Sequence, residues 1–242
     1  MPLHSRDAAA LDTLTADCRR LFAWRLEALA LYGEAATDAY RQLVSPLETV
    51  VLLDRVDTDD LRTLCRRTGA WHRLRLGTPL VIDPAYLATS CDTFPLELLE
   101  LRDRHRLLHG ARDPFAALPP PSVAHLRLEV EEQLKGKLLH LRTSYLALAG
   151  ARRGLGELLR AARATLDVLF RGVLALAGRP RPAEPADVLR AVADLHGVAL
   201  GGLARLDRWA AGQQRLGRGD LEALFAAVHD ELATLVARVE PR

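Results

Sequence analysis

Two short, almost continuous apolar runs stand near the start of the chain. The first reads Leu26-Glu27-Ala28-Leu29-Ala30-Leu31-Tyr32 and ends at Gly33-Glu34; the second reads Leu47-Glu48-Thr49-Val50-Val51-Leu52-Leu53, follows Ser45-Pro46 and closes at Asp54. Neither shows the three- and four-residue spacing of an amphipathic helix, and both suit strands buried on two faces. Around them, residues 7–23 predict a helix, with Leu11, Leu14, Cys18, Leu21 and Phe22 on one side. Residues 35–43 predict a short helix or an irregular arm, and Pro46 opens the second strand, where a missing ladder donor is tolerated. Asp57-Thr58-Asp59-Asp60 begins a helix reaching about Arg67 and stopping near Gly69. Residues 78–82 predict a short strand, 83–89 a helical turn, 94–101 a further strand, and 106–110 an edge strand or turn.

The pattern changes after Pro119-Pro120-Pro121, a run that fits neither a helix interior nor a central strand. This divides the chain into an α/β domain at 1–118 and a second domain at 119–242. Ser122 can cap a long helix whose stripe is Leu126, Val130, Leu134, Leu138, Leu141, Tyr145 and Leu148. Further helices are expected at 155–176, 185–198, 200–211 and 220–239, separated by the loop Gly178-Arg179-Pro180-Arg181-Pro182 and shorter breaks. Together they predict a helical bundle. The fold class is therefore α+β, a mixed sheet flanked by helices and then the bundle.

Composition narrows the function classes. Of 242 residues, 49% are hydrophobic and 26% charged, and the net charge of +2 gives no bulk attraction to nucleic acid or membrane. Lys135 and Lys137 are the two lysines among 33 basic residues, so arginine abundance reads as compositional bias and not as a site. Cys18, Cys65 and Cys91 lack metal-type spacing, which points to a reducing cytoplasm and no disulfide framework. The first residues carry no apolar signal core, and no apolar run reaches the roughly 18 residues a bilayer crossing needs.

The two runs, with their glycine turn and the acid that follows, resemble the core of the nucleotidyltransferase superfamily, the polymerase-beta-like fold of kanamycin nucleotidyltransferase and its small bacterial relatives. There a strand ends in Gly-Ser, and about a dozen residues later a second strand carries two acids two positions apart. Acids at i and i+2 share a strand face and can hold magnesium against a triphosphate. The resemblance covers about residues 26–110, and the bundle agrees in architecture. It places Gly33 at the glycine, Glu34 where the serine belongs, Pro46 where the first acid belongs and Glu48 at the second acid. Glu97, in the strand predicted before Leu107-Leu108-His109-Gly110, takes the third acid; Glu100 is the second choice, on the opposite strand face.

The resemblance thus implies Glu48 and Glu97 as catalytic and metal-holding residues, and Gly33, Glu34 and Ser45 as nucleotide-binding ones. Magnesium and a nucleoside triphosphate are the implied cofactors, with the altered site expected to hold neither tightly. The reading is a scaffold kept and a metal site eroded: a pseudoenzyme retaining nucleotide or protein binding. Two alternatives accompany it, an active magnesium-dependent transferase acting on a small hydroxylated acceptor or a protein, and a module dimerising or meeting a partner protein through its bundle. Other candidates are weaker. His105 and His109 do not converge on a strand. Arg190 and His196 match a ribonuclease-bundle spacing common in any arginine-rich chain. Glu129, Glu131 and Glu132 could supply a general base, or form a solvated face with Lys135, Lys137 and Arg142.

Overall fold

A computed structural model describes residues 3–42, 44–148, 152–217 and 219–239. The chain divides into two compact units, Met1–Ser122 and Val123–Arg242. In the first unit, β1 (Leu26–Tyr32) and β2 (Glu48–Leu53) pair antiparallel, with Ala30 opposite Val50 and Tyr32 opposite Glu48. β3 (Leu80–Ile82) lies parallel to β2, and β4 (His105–His109) antiparallel to β1, giving the order β3-β2-β1-β4. The sheet is mixed, and its two central strands are the two apolar runs. Ala28 to Leu31 and Val50 to Leu53 are all buried, as strands covered on both faces must be.

The period of two divides these residues between two cores. Leu29, Leu31, Val51 and Leu53 pack with Leu11, Leu14, Cys18, Leu64 and Trp71, which come from α1 (Ser5–Phe22) and α2 (Thr58–Arg73). Ala28, Ala30, Val50 and Leu52 face the other way, against Ile82, Leu87, Leu98, Leu101 and Phe115. Leu87 lies on α3 (Pro84–Thr89), and Leu98 and Leu101 on α4 (Pro95–Asp103). The alanines on this second face let α4 approach the sheet.

Two local expectations are corrected. The stretch around residues 94–101 is a helix, α4, and not a strand. Pro95 occupies its first turn, where the absent N–H has no intrahelical partner to lose. Pro95, Leu96, Leu98, Leu99 and Leu101 are all buried, and a short run buried all round carries no period that separates strand from helix. α2 continues through Gly69 to Arg73. Nothing crowds Gly69, so it costs only about 1 kcal/mol of helix propensity, which the fully buried Trp71 offsets. The arm after β1 is mostly irregular, with one 3₁₀ turn at Glu34–Ala36.

A buried acid ties α1 to α2. Asp17 accepts hydrogen bonds from Arg67 Nη2 at 2.6 Å and Trp71 Nε1 at 3.0 Å, and Arg20 Nη2 donates at 2.9 Å. Burial pushes the Asp17 carboxyl up, but these hydrogen bonds and the charges of Arg67 and Arg20 outweigh it and hold its pKa below the usual range.

The second unit contains α5 (Val123–Ala147), α6 (Arg152–Leu176), α7 (Pro185–His196), α8 (Gly201–Ala210) and α9 (Asp220–Val239). Its core joins Val130, Leu134 and Leu141 of α5, Leu159 and Phe170 of α6, and Leu224, Val228 and Leu232 of α9, all buried. The start of α8 is capped from α9: Gly202 and Leu203 N–H donate to Glu231 at 2.7 and 2.9 Å. Among the described residues no helix is long and apolar enough to cross a membrane.

Replacing Asp17 by Ala leaves the Trp71 N–H and the Arg67 guanidinium without their acceptor. The loss expected is about 2–4 kcal/mol of stability at pH 7, read from urea unfolding. A depressed carboxyl stabilises above its unfolded pKa and loses that contribution as pH falls through its folded pKa. The deficit of the variant therefore shrinks below about pH 4.

Candidate functional site

At one end of the sheet three side chains stand side by side. Tyr32 is in register with Glu48 on one neighbouring strand and with His105 on the other. Directly opposed antiparallel residues share a face, and Tyr32 packs with the core on the α4 side. The row therefore faces α4, away from α1 and α2. Gly33 follows at once. Its backbone, at φ +76° and ψ −153°, lies in a region essentially restricted to glycine. Its N–H donates to the Arg104 carbonyl at 2.8 Å, fastening the turn to the junction of α4 and β4. A Cβ on Gly33 would stand 2.8 Å from Glu48 Oε2. The glycine thus serves two needs, a positive φ and a close approach by a carboxylate.

The surroundings of that carboxylate are acidic. Glu100 on α4 is buried and pairs with the equally buried Arg104 at 3.0 Å. Burial drives the Tyr32 hydroxyl up to about 12, and the charges of Glu48, Glu97 and Glu100 add to it in that order. Glu48 has its pKa raised by burial of the carboxyl and then by Glu100, against the charge of Arg104, with a smaller push from Glu34. The residue as a whole is exposed, and its Oε2 lies against Gly33. Glu48 makes no hydrogen bond or ion pair among the described residues. The guanidinium within range, that of Arg104, belongs to the pair with Glu100.

Helix geometry also revises the relation of Glu97 to Glu100. On a strand they would diverge; on α4, three apart, they lie on neighbouring positions of one side. Glu97 is exposed and Glu100 is built into the core.

Glu34 and Ser45 form a separate network. The buried Glu34 carboxylate receives Arg41 Nε at 3.0 Å, Arg41 Nη2 at 3.2 Å and Ser45 Oγ at 2.6 Å. Ser45 Oγ in turn accepts the Arg41 N–H at 2.8 Å. The negative charge beside the glycine turn is thereby matched by a guanidinium of the same loop.

His105 Nε2 lies 2.8 Å from Asp113 Oδ2, and its ring meets Phe115 edge-on at 5.6 Å. His109 ends the same strand, about 13 Å further along at 3.3 Å per residue. Asp54 pairs with Arg25 at 2.9 Å. Among the described residues no group of three or more His, Cys, Asp or Glu could hold a metal ion. Glu129, Glu131 and Glu132 all lie on α5, in the second unit. Sequence reasoning missed Tyr32, Arg41, Arg104 and Asp113. Tyr32 could have been found from its place before the glycine, whereas the three others are visible only as partners.

No family model and no curated protein sequence matches the chain. Among solved structures it is similar to spectinomycin adenyltransferase AAD(9) from Enterococcus faecialis, described with ATP and spectinomycin. The TM-score is 0.60 at 10% identity, over 93% of this chain and 99% of that one. The likeness is one of fold: a nucleotidyltransferase-like sheet followed by a helical bundle.

A raised carboxyl pKa penalises the folded state once the group ionises. Stability is fully present below the ordinary carboxylate range and is lost as pH rises through the raised value. Glu48→Gln should therefore raise the thermal midpoint at pH 7, with the difference closing towards about pH 4; a lower midpoint at pH 7 contradicts the assignment. Gly33→Ala should cost about 1–3 kcal/mol for the backbone alone, read from the same melts.

Proposed function

We propose that this chain is a nucleotidyltransferase-fold protein whose metal centre is eroded, a pseudoenzyme that acts by binding. The carrying observation is the donor set at the sheet end. Pro46 offers no side-chain oxygen, and Glu100 is committed to Arg104. Glu48 thus stands without a strand partner two positions before it. A magnesium ion bridging triphosphate oxygens needs several hard oxygen ligands in near-octahedral order, and this set does not fit it. The Glu34 network supports the same reading, since the Arg41 and Ser45 groups that would suit a phosphate already hold a carboxylate. What remains is binding, of a nucleotide without metal at the N-terminal unit or of a protein through the bundle.

One observation favours a second reading, an active magnesium-dependent transfer to a small hydroxylated acceptor or a protein. Glu48 makes no ion pair among the described residues, and the charges of Glu97 and Glu100 reach the same hydroxyl as its own, which would draw a cation towards Tyr32. The similar fold described with ATP and spectinomycin agrees with either reading.

Transfer from labelled ATP, GTP and CTP with magnesium, alongside calorimetry with and without the metal, separates them. The pseudoenzyme reading expects no turnover and no gain in nucleotide affinity from magnesium. Magnesium-dependent turnover that Glu48→Gln abolishes would overturn it in favour of the enzyme.

A further inference from the structure

The side of α5 opposite its buried stripe carries exposed leucines among its charges. Its inward stripe, Leu126, Val130, Leu134, Leu138 and Leu141, is buried. On the opposite side, steps of four and three residues connect Leu128, Glu132, Lys135, Leu139, Arg142 and Leu146, all exposed. The three leucines are 66%, 61% and 75% exposed. A single exposed leucine is ordinary; three on one seam at heptad spacing form the edge of an unmade helix–helix contact.

The order of charges says what completes it. Read backwards, the seam matches itself about a point at residue 137. Two antiparallel copies centred there set Leu128 against Leu146 and Glu132 against Arg142 of the other copy, each twice. Leu139 lies against the aliphatic stem of Lys135 on either side of the axis. Glu132 has no ion-pair partner in its own chain among the described residues. Arg142 donates Nε to His229 Nε2 at 3.0 Å, which leaves its terminal nitrogens for an acid. A parallel pairing would bring Glu132 to Glu132 and Arg142 to Arg142, like charge against like.

We propose that two copies of this chain associate through α5, antiparallel about a two-fold axis beside residue 137. The seam runs from Leu128 to Leu146, about 27 Å of helix, and an isologous contact of this kind closes on itself. This deepens the reading of the bundle as a partner-binding unit and is independent of the acids at the sheet end, so transfer assays and this test fail separately.

Sedimentation equilibrium of the full chain tests it. The native protein should show a concentration-dependent species of twice 26.6 kDa. Glu132→Arg and Arg142→Glu should each weaken association at least about tenfold, and the double swap should restore it to within about threefold. Leu139→Lys, which crowds like charges at the axis, should leave only monomer. Unchanged far-ultraviolet dichroism and a cooperative melt confirm that each variant folds, as expected of exposed positions. A native monomer at every concentration, single reversals without effect, or a double swap that fails to restore the dimer would each overturn the proposal.

Discussion

The close approach of the Glu48 carboxylate to Gly33 fixes the geometry at one end of the sheet in the N-terminal unit. The antiparallel register sets Glu48 beside Tyr32, and Gly33, next in sequence, must then pass under the Glu48 carboxyl at a positive φ. The same residue gives its N–H to Arg104, and Arg104 pairs with Glu100. One turn thus connects β1, β2, α4 and β4. Sterically, a side chain at Gly33 would displace Glu48; electrostatically, the carboxyl has no ion-pair partner among the described residues.

That imbalance distinguishes the two acidic ends of the unit. Asp17 and Asp60, on the α1 and α2 side, are matched by arginines and have their pKa values held down. The buried acids Asp7, Asp17, Glu34, Asp60 and Glu100 each have an arginine partner, whereas Glu48 makes no ion pair among the described residues and has its pKa raised. Groups perturbed by burial and like charges gather at present or former functional sites more than elsewhere.

The hydrophobic pattern made the sheet legible, because the β1 and β2 runs are long enough and buried on both faces. The bundle helices were legible from their three- and four-residue stripes. α4 was not, because six of its nine residues are buried, on several sides, and erase the period. That error separated Glu97 from Glu100, which only a helix brings together. The Glu34 network could not be read at all: Arg41 and Ser45 lie seven and eleven residues on, in an arm without period. The α5 stripe facing inward was plain, while the outward leucines were hidden among charges. They gain meaning only once the helix's buried side is known.

Whether the sheet end still gathers a divalent cation over a nucleotide is measured most directly by manganese titration with ATP present, followed by the resonance of the free ion. On the proposed reading of an eroded site, the native protein should leave that signal as it is for ATP alone. A saturable, one-to-one loss of signal in the native protein, absent in Glu48→Gln, would contradict the account.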